Sequence, residues 1–120
     1  MKLYRVMKVV VDGKPLVGIR FGMLGVRPKV PTSTNRSDVS AAKDNDSVYP
    51  GEGLSTSTDP ESLQTRRGEK VFEIESDQLS TELKTNHDRP GHCLIEPANR
   101  VTLVEFQQAL AETRDSWHPV

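Results

Sequence analysis

The segment TLVEFQQALAETRDSW, residues 102–117, carries the clearest helical period in the chain. Leu103, Phe106, Leu110 and Trp117 recur on one stripe. Thr102, followed three residues later by Glu105, has the spacing of a capping box. One amphipathic helix has one apolar stripe, and other elements must cover it. The remaining patterned segments alternate as strands do. Strands on both sides of a long irregular stretch, with one terminal helix, predict an α+β domain with a mainly antiparallel sheet.

KLYRVMKVVV opens the chain and reads as a strand, rich in β-branched and large apolar residues. Asp12-Gly13 signals a hairpin, and LVGIRFGML reads as its return strand, with Gly18 and Gly22 as bulge points. From Gly25 to Ser47 the period disappears into Pro, Ser, Thr, Asn and Asp, so a loop insert is expected at about 25–47, with room for a short helix in SDVSAAKD. SVYPGEGLSTST reads as an irregular strand with a Pro-Gly turn inside it. Asp59 then caps a helical turn that starts at Pro60. EKVFEIES alternates, with Phe72 and Ile74 on one face. GHCLIEP is a short strand with His92, Leu94 and Glu96 on one face and Cys93 and Ile95 on the other.

The length is that of one domain, residues 1–120, and the low hydrophobic content of 34% fits a chain that is partly loop. A net charge of -1 gives no global field towards nucleic acid or membrane. The charges divide unevenly: nine Lys/Arg and four Asp/Glu over residues 1–48, against seven and thirteen over 49–120. That split suits an anion site in the first part and a basic partner on the second, or two solvated faces. Cys93 is the only cysteine, so no disulfide framework exists, and the His/Cys spacing lacks the fourth ligand of a structural zinc site. Arg5 and Lys8 interrupt the apolar N-terminal stretch, so neither a signal peptide nor a membrane span is expected. A soluble protein of a reducing compartment is.

Several residues can carry chemistry. Arg5 sits in the centre of a half-buried strand between Leu3 and Met7, and a guanidinium there requires a partner, either a ligand phosphate or an internal carboxylate. In the hydroxyl run Ser55-Thr56-Ser57-Thr58, Ser55 and Ser57 face one way and Thr56 and Thr58 the other. One face can offer hydroxyls to a ribose or an amide, or the run can simply end a strand and cap a turn. His92 can orient a ligand, act as a general base, or pack as a half-buried side chain. Glu105 is explained as a cap, and no phosphate-binding or nucleophile motif is present.

In order, LYR on the first strand, VYPGEGLSTSTDP after the insert, VFEIE, and GHCLIEPANRVTLVEFQQAL resemble the small bacterial toxins exported by type VI secretion. That family has an ADP-ribosyltransferase-like fold with a split antiparallel sheet. The resemblance implies an NAD-dependent ADP-ribosyltransferase or NAD glycohydrolase acting as a cytotoxin in the bacterial cytoplasm. It further implies a cognate immunity protein, an ADP-ribose acceptor that is not identified, and no metal. By the family pattern Ser55, Thr56 and His92 are the catalytic positions, and Arg5, Ser57 and Tyr4 bind NAD. The chain departs from arginine-type relatives in having no late Glu-x-Glu or Gln-x-Glu. A non-catalytic α+β protein-binding module is the alternative reading.

Overall fold

The computed structural model describes residues 1–120. Eight strands and one helix follow in chain order: β1 (Lys2–Lys8), β2 (Ser47–Val48), β3 (Leu54–Ser57), β4 (Glu69–Glu75), β5 (Leu83–Arg89), β6 (His92–Pro97), β7 (Val101–Thr102), α1 (Leu103–Ala111) and β8 (His118–Pro119). Six strands form one sheet in the order β5-β6-β3-β1-β4-β8, every pair antiparallel, and β2 pairs with β7 separately. The α+β class expected from the sequence is what forms. No helix is long and apolar enough to cross a membrane.

β1 owes its central place to period-2 burial. Leu3 and Met7 are fully buried, and β4 matches them in register, with Leu3 opposite Ile74 and Arg5 opposite Phe72. β4 runs along the whole of β1, whereas β3 meets it at one register pair, Tyr4 with Ser57. The sheet therefore parts between β1 and β3. This split positions the site.

The return strand expected over LVGIRFGML does not form. A turn closes at Val10–Lys14 with Gly13 at φ +81°, but the next residues fold back on themselves: Leu24 N–H donates to Leu16 O (2.8 Å) and Leu16 N–H to Lys8 O (2.8 Å). β4 occupies one edge of β1 throughout; on the other edge the segment interrupted by Gly18 and Gly22 bonds the strand's backbone only at Lys8, whose N–H donates to Gly22 O (2.7 Å). Ile19 and Phe21 are left exposed.

The 25–47 segment lacks regular structure until β2, and no helix forms in SDVSAAKD. It is nevertheless anchored. Val26, Val39 and Ala41 are buried, and Arg27 grips Asp38 through Nε (3.2 Å) and Nη2 (3.1 Å) while its backbone N–H donates to the same carboxylate (2.7 Å). Gln107 of α1 then pins Val26 by accepting from its N–H (2.9 Å) and donating to its carbonyl (2.7 Å).

The capping box forms as expected. Glu105 N–H donates to Thr102 Oγ1 (3.3 Å), and Thr102 N–H donates to Glu105 Oε1 (2.9 Å). Those bonds hold the Glu105 carboxyl below the usual carboxylate range, so it serves as a cap. The helix is shorter than its stripe implied. It ends at Ala111, and Trp117 enters the core after a 3-10 turn at Arg114–Ser116. Thr113 makes that ending, donating from Oγ1 to Leu110 O (2.6 Å) and accepting the indole N–H (3.0 Å). Trp117, Phe106 and Leu110 share one core with Leu3, Phe72, Ile74 and Ile95 of the sheet.

Candidate functional site

The hydroxyl strand is placed by the glycine before it. A Cβ on Gly53 would lie 2.2 Å from the Ile95 carbonyl oxygen, so only glycine lets β3 approach β6 this closely. From there the register sets the site. Tyr4, Ser57 and His92 stand directly opposite one another across β1, β3 and β6, with Ser55 two residues along the same face. Arg5 and Thr56 belong by parity to the core side.

Arg5 reaches across the split. Its Nη1 donates to the Ser55 carbonyl (2.9 Å) and its Nη2 to the Met23 carbonyl (3.0 Å), while its Nε is sealed from solvent with no partner. No carboxylate touches it, so the internal ion pair open in the sequence is absent. Burial pushes its pKa down to about 10, and the more distant charges of Asp38 and Arg27 act in opposite directions. It is still a cation at neutral pH. Two of its five N–H groups are committed to carbonyls and one is sealed, which leaves two on the terminal nitrogens.

Two cavities meet at this side chain. The larger, about 500 Å³, is bounded by Tyr4, Ser55, Thr56, Ser57 and Glu69 of the sheet strands and by the Ser62–Arg66 segment. The smaller, about 380 Å³, carries Arg27, Arg36 and Arg89 together with Asp38, Glu52 and Asp88. Arg5, Ser55, Phe21 and His92 line both. Arg27 is neutralised by Asp38, whereas Arg36 and Arg89 make no ion pair. Each volume is in the range of a small-molecule pocket.

The hydroxyls do different things. Ser55 borders both cavities and makes no side-chain hydrogen bond within the protein. The buried Thr56 lines the larger cavity, but its hydroxyl donates to the Cys93 carbonyl (2.7 Å) and ties β3 to β6. Ser57 Oγ donates to the Asp59 carbonyl (2.8 Å) and accepts from the Asp59 N–H (3.0 Å), holding the turn that Asp59 caps at Pro60–Ser62. Both halves of the sequence reading are therefore present in one run: a cleft-facing hydroxyl first, a turn afterwards.

His92 Nδ1 lies 2.5 Å from Asp88 Oδ1 across the β5–β6 hairpin. Partial desolvation raises the Asp88 carboxyl, but the hydrogen bond and charge of His92 outweigh it and hold the group below its ordinary 3.8. A carboxylate depressed in the folded state contributes stability above its unfolded pKa and loses it as the pH falls through the folded value. In acid titrations followed by circular dichroism, the stability difference between wild type and Asp88→Asn is therefore expected to close below about pH 4. Glu96, a strand-end carboxylate noted in the sequence, is buried and occupied. It accepts from the Gly51 N–H (3.0 Å) and Asn86 Nδ2 (3.1 Å) and faces Lys84 Nζ at 3.5 Å.

Sequence reasoning missed Asp88, Phe21, Arg36, Arg89 and Glu69. The DRPGH segment carried a signal for the first, since a Pro-Gly turn there brings Asp88 near His92. Phe21 and Arg36 come from stretches without period, while Arg89 ends β5 and Glu69 begins β4. Phe21, exposed at the mouth of both cavities, has Arg27 Cζ 5.5 Å from its ring centroid. No group of three or more His, Cys, Asp or Glu side chains is arranged to hold a metal ion.

The fold is an α+β domain whose antiparallel sheet parts between β1 and β3, with a half-buried arginine at the split and a cleft-facing hydroxyl beside it. The sequence matches the family described as Tse2 ADP-ribosyltransferase toxin over residues 1–117, and the chain belongs to that family. Comparison with curated proteins and with solved structures returned no match.

Proposed function

We propose that the chain is an NAD-dependent ADP-ribosyltransferase toxin that acts in the bacterial cytoplasm and is neutralised by a cognate immunity protein. The observation that carries this reading is Arg5: a half-buried cation with no carboxylate in contact and its Nε sealed from solvent, standing where two cavities meet beside the hydroxyl strand. Such a group favours an anion that straddles both cavities, and the pyrophosphate of NAD is one. Its nicotinamide riboside end occupies the larger cavity, beside Tyr4 and Ser55, and the adenosine end the smaller.

The chemistry asked of the protein is placement. The bond between nicotinamide and ribose C1′ breaks, its electron pair leaving with nicotinamide, and an acceptor oxygen attacks C1′ as the oxocarbenium-like transition state forms. Arg5 holds the pyrophosphate, and Ser55 fixes the nearby ribose or carboxamide. Thr56 and Ser57 keep β3 and the following turn in place. The resemblance to the type VI toxins supports delivery by that route.

The test is growth under tight induction in bacteria, with NAD binding measured by melting shift. Wild type is expected to arrest growth and to melt higher with NAD. Ser55→Ala, still folded, is expected to relieve the arrest by at least about tenfold in viable count, the loss of one well-placed hydrogen bond. Growth arrest without any NAD shift would instead return the chain to a toxin that works by binding protein.

A further inference from the structure

We infer that His92 is the general base of the reaction and that Asp88 is the positioning residue that sets its tautomer. This inference rests on the NAD reading above. Asp88 is acceptor-only as a carboxylate, so the neutral imidazole facing it carries its proton on Nδ1. The lone pair is then on Nε2. That nitrogen has no partner in the protein and is not sealed, and His92 borders both cavities.

The surrounding charges leave His92 as the best-placed base. Among the carboxylates near it, Asp38 is paired with Arg27 and Glu52 accepts from Ser40 Oγ (2.8 Å). Across the larger cavity Glu69 accepts from the Arg66 N–H (2.8 Å). Arg5, Arg36 and Arg89 are cations without a lone pair to offer.

The step balances without any further reagent. As nicotinamide departs with the C1′–N electron pair, the oxygen of a hydroxyl acceptor or of water bonds to C1′. Its proton passes to His92 Nε2 and then to solvent. Asp88 stabilises the imidazolium that forms.

The deciding experiment measures NAD turnover against pH for purified wild type, Asp88→Asn and His92→Gln, with 15N spectra of the His92 ring in wild type. Asp88→Asn is expected to lower kcat roughly 100-fold with little change in KM for NAD. Its pH profile is expected to keep an acid limb, since the base itself is still present. His92→Gln is expected to lose the limb altogether, and the neutral wild-type ring to show the Nδ1–H tautomer. A purely structural Asp88 would lower the melting temperature and leave kcat in place, which would overturn the assignment. So would an Nε2–H tautomer. Wild type that never turns over NAD would overturn the NAD reading itself and the base with it, a result distinct from turnover that ignores Asp88.

Discussion

Arg5→Met is expected to leave the melting temperature unchanged or higher while NAD turnover falls at least about 100-fold. The two halves have one cause. The guanidinium is desolvated, its pKa is pushed down to about 10, and its Nε has no partner, so the folded state carries a cation that no carboxylate contacts. Replacing such a charge by an apolar side chain of similar length removes its desolvation cost. Of the two carbonyls it leaves, Ser55 borders the cavities, where water can take the donor's place. The functional half follows from charge-assisted hydrogen bonds, about 1.5–3 kcal/mol each, of which two are available to a pyrophosphate. Differential scanning fluorimetry beside a turnover assay decides it. A variant that unfolds would make Arg5 structural, and one that turns over NAD normally would remove it from the site.

The second large effect is on stability alone. Trp117→Ala is expected to cost about 3–5 kcal/mol, the range for emptying a fully buried aromatic site. Against a typical domain stability of about 5–15 kcal/mol this is a large fraction, and the melting temperature should drop by roughly 10 °C or more. The loss has a second part, because Thr113 Oγ1 would lose its indole donor while still bonding the Leu110 carbonyl at the helix end. Denaturant titration measures it directly. A cost under about 1 kcal/mol would mean that the segment after α1 can close over the cavity.

β1, β4, β6 and the start of α1 could be read from the chain because each satisfies its own local rule. Phe72 and Ile74 alternate, Cys93 and Ile95 alternate, and the Thr102–Glu105 box closes within one turn. The return strand after Asp12-Gly13 was misread because a good turn does not choose the partner of β1. After the turn the chain folds back on itself, Leu24 bonding Leu16, and reaches the β1 backbone only at Lys8, while β4 takes the opposite edge of β1 over its full length. Trp117 was placed on a helical stripe because its spacing allowed it. A hydroxyl at Thr113 ended the helix earlier and delivered the indole to the same core by another route.

The candidate site divides along the same line. The sequence by itself determined the residue types and their alternation: a cation in an apolar strand, hydroxyls facing opposite ways, a histidine on a short strand, and a glycine ahead of Leu54. These are properties of neighbouring residues and of a period of two. Only the tertiary structure decided that β1 and β3 part after one register pair, that Tyr4, Ser57 and His92 then share a row, and that Arg5 finds two carbonyls and no carboxylate. It also decided that Arg36, from the 25–47 segment, and Arg89, at the end of β5, line the second cavity. Those facts depend on which distant strands meet and where they separate, and that is settled by the packing of the whole core.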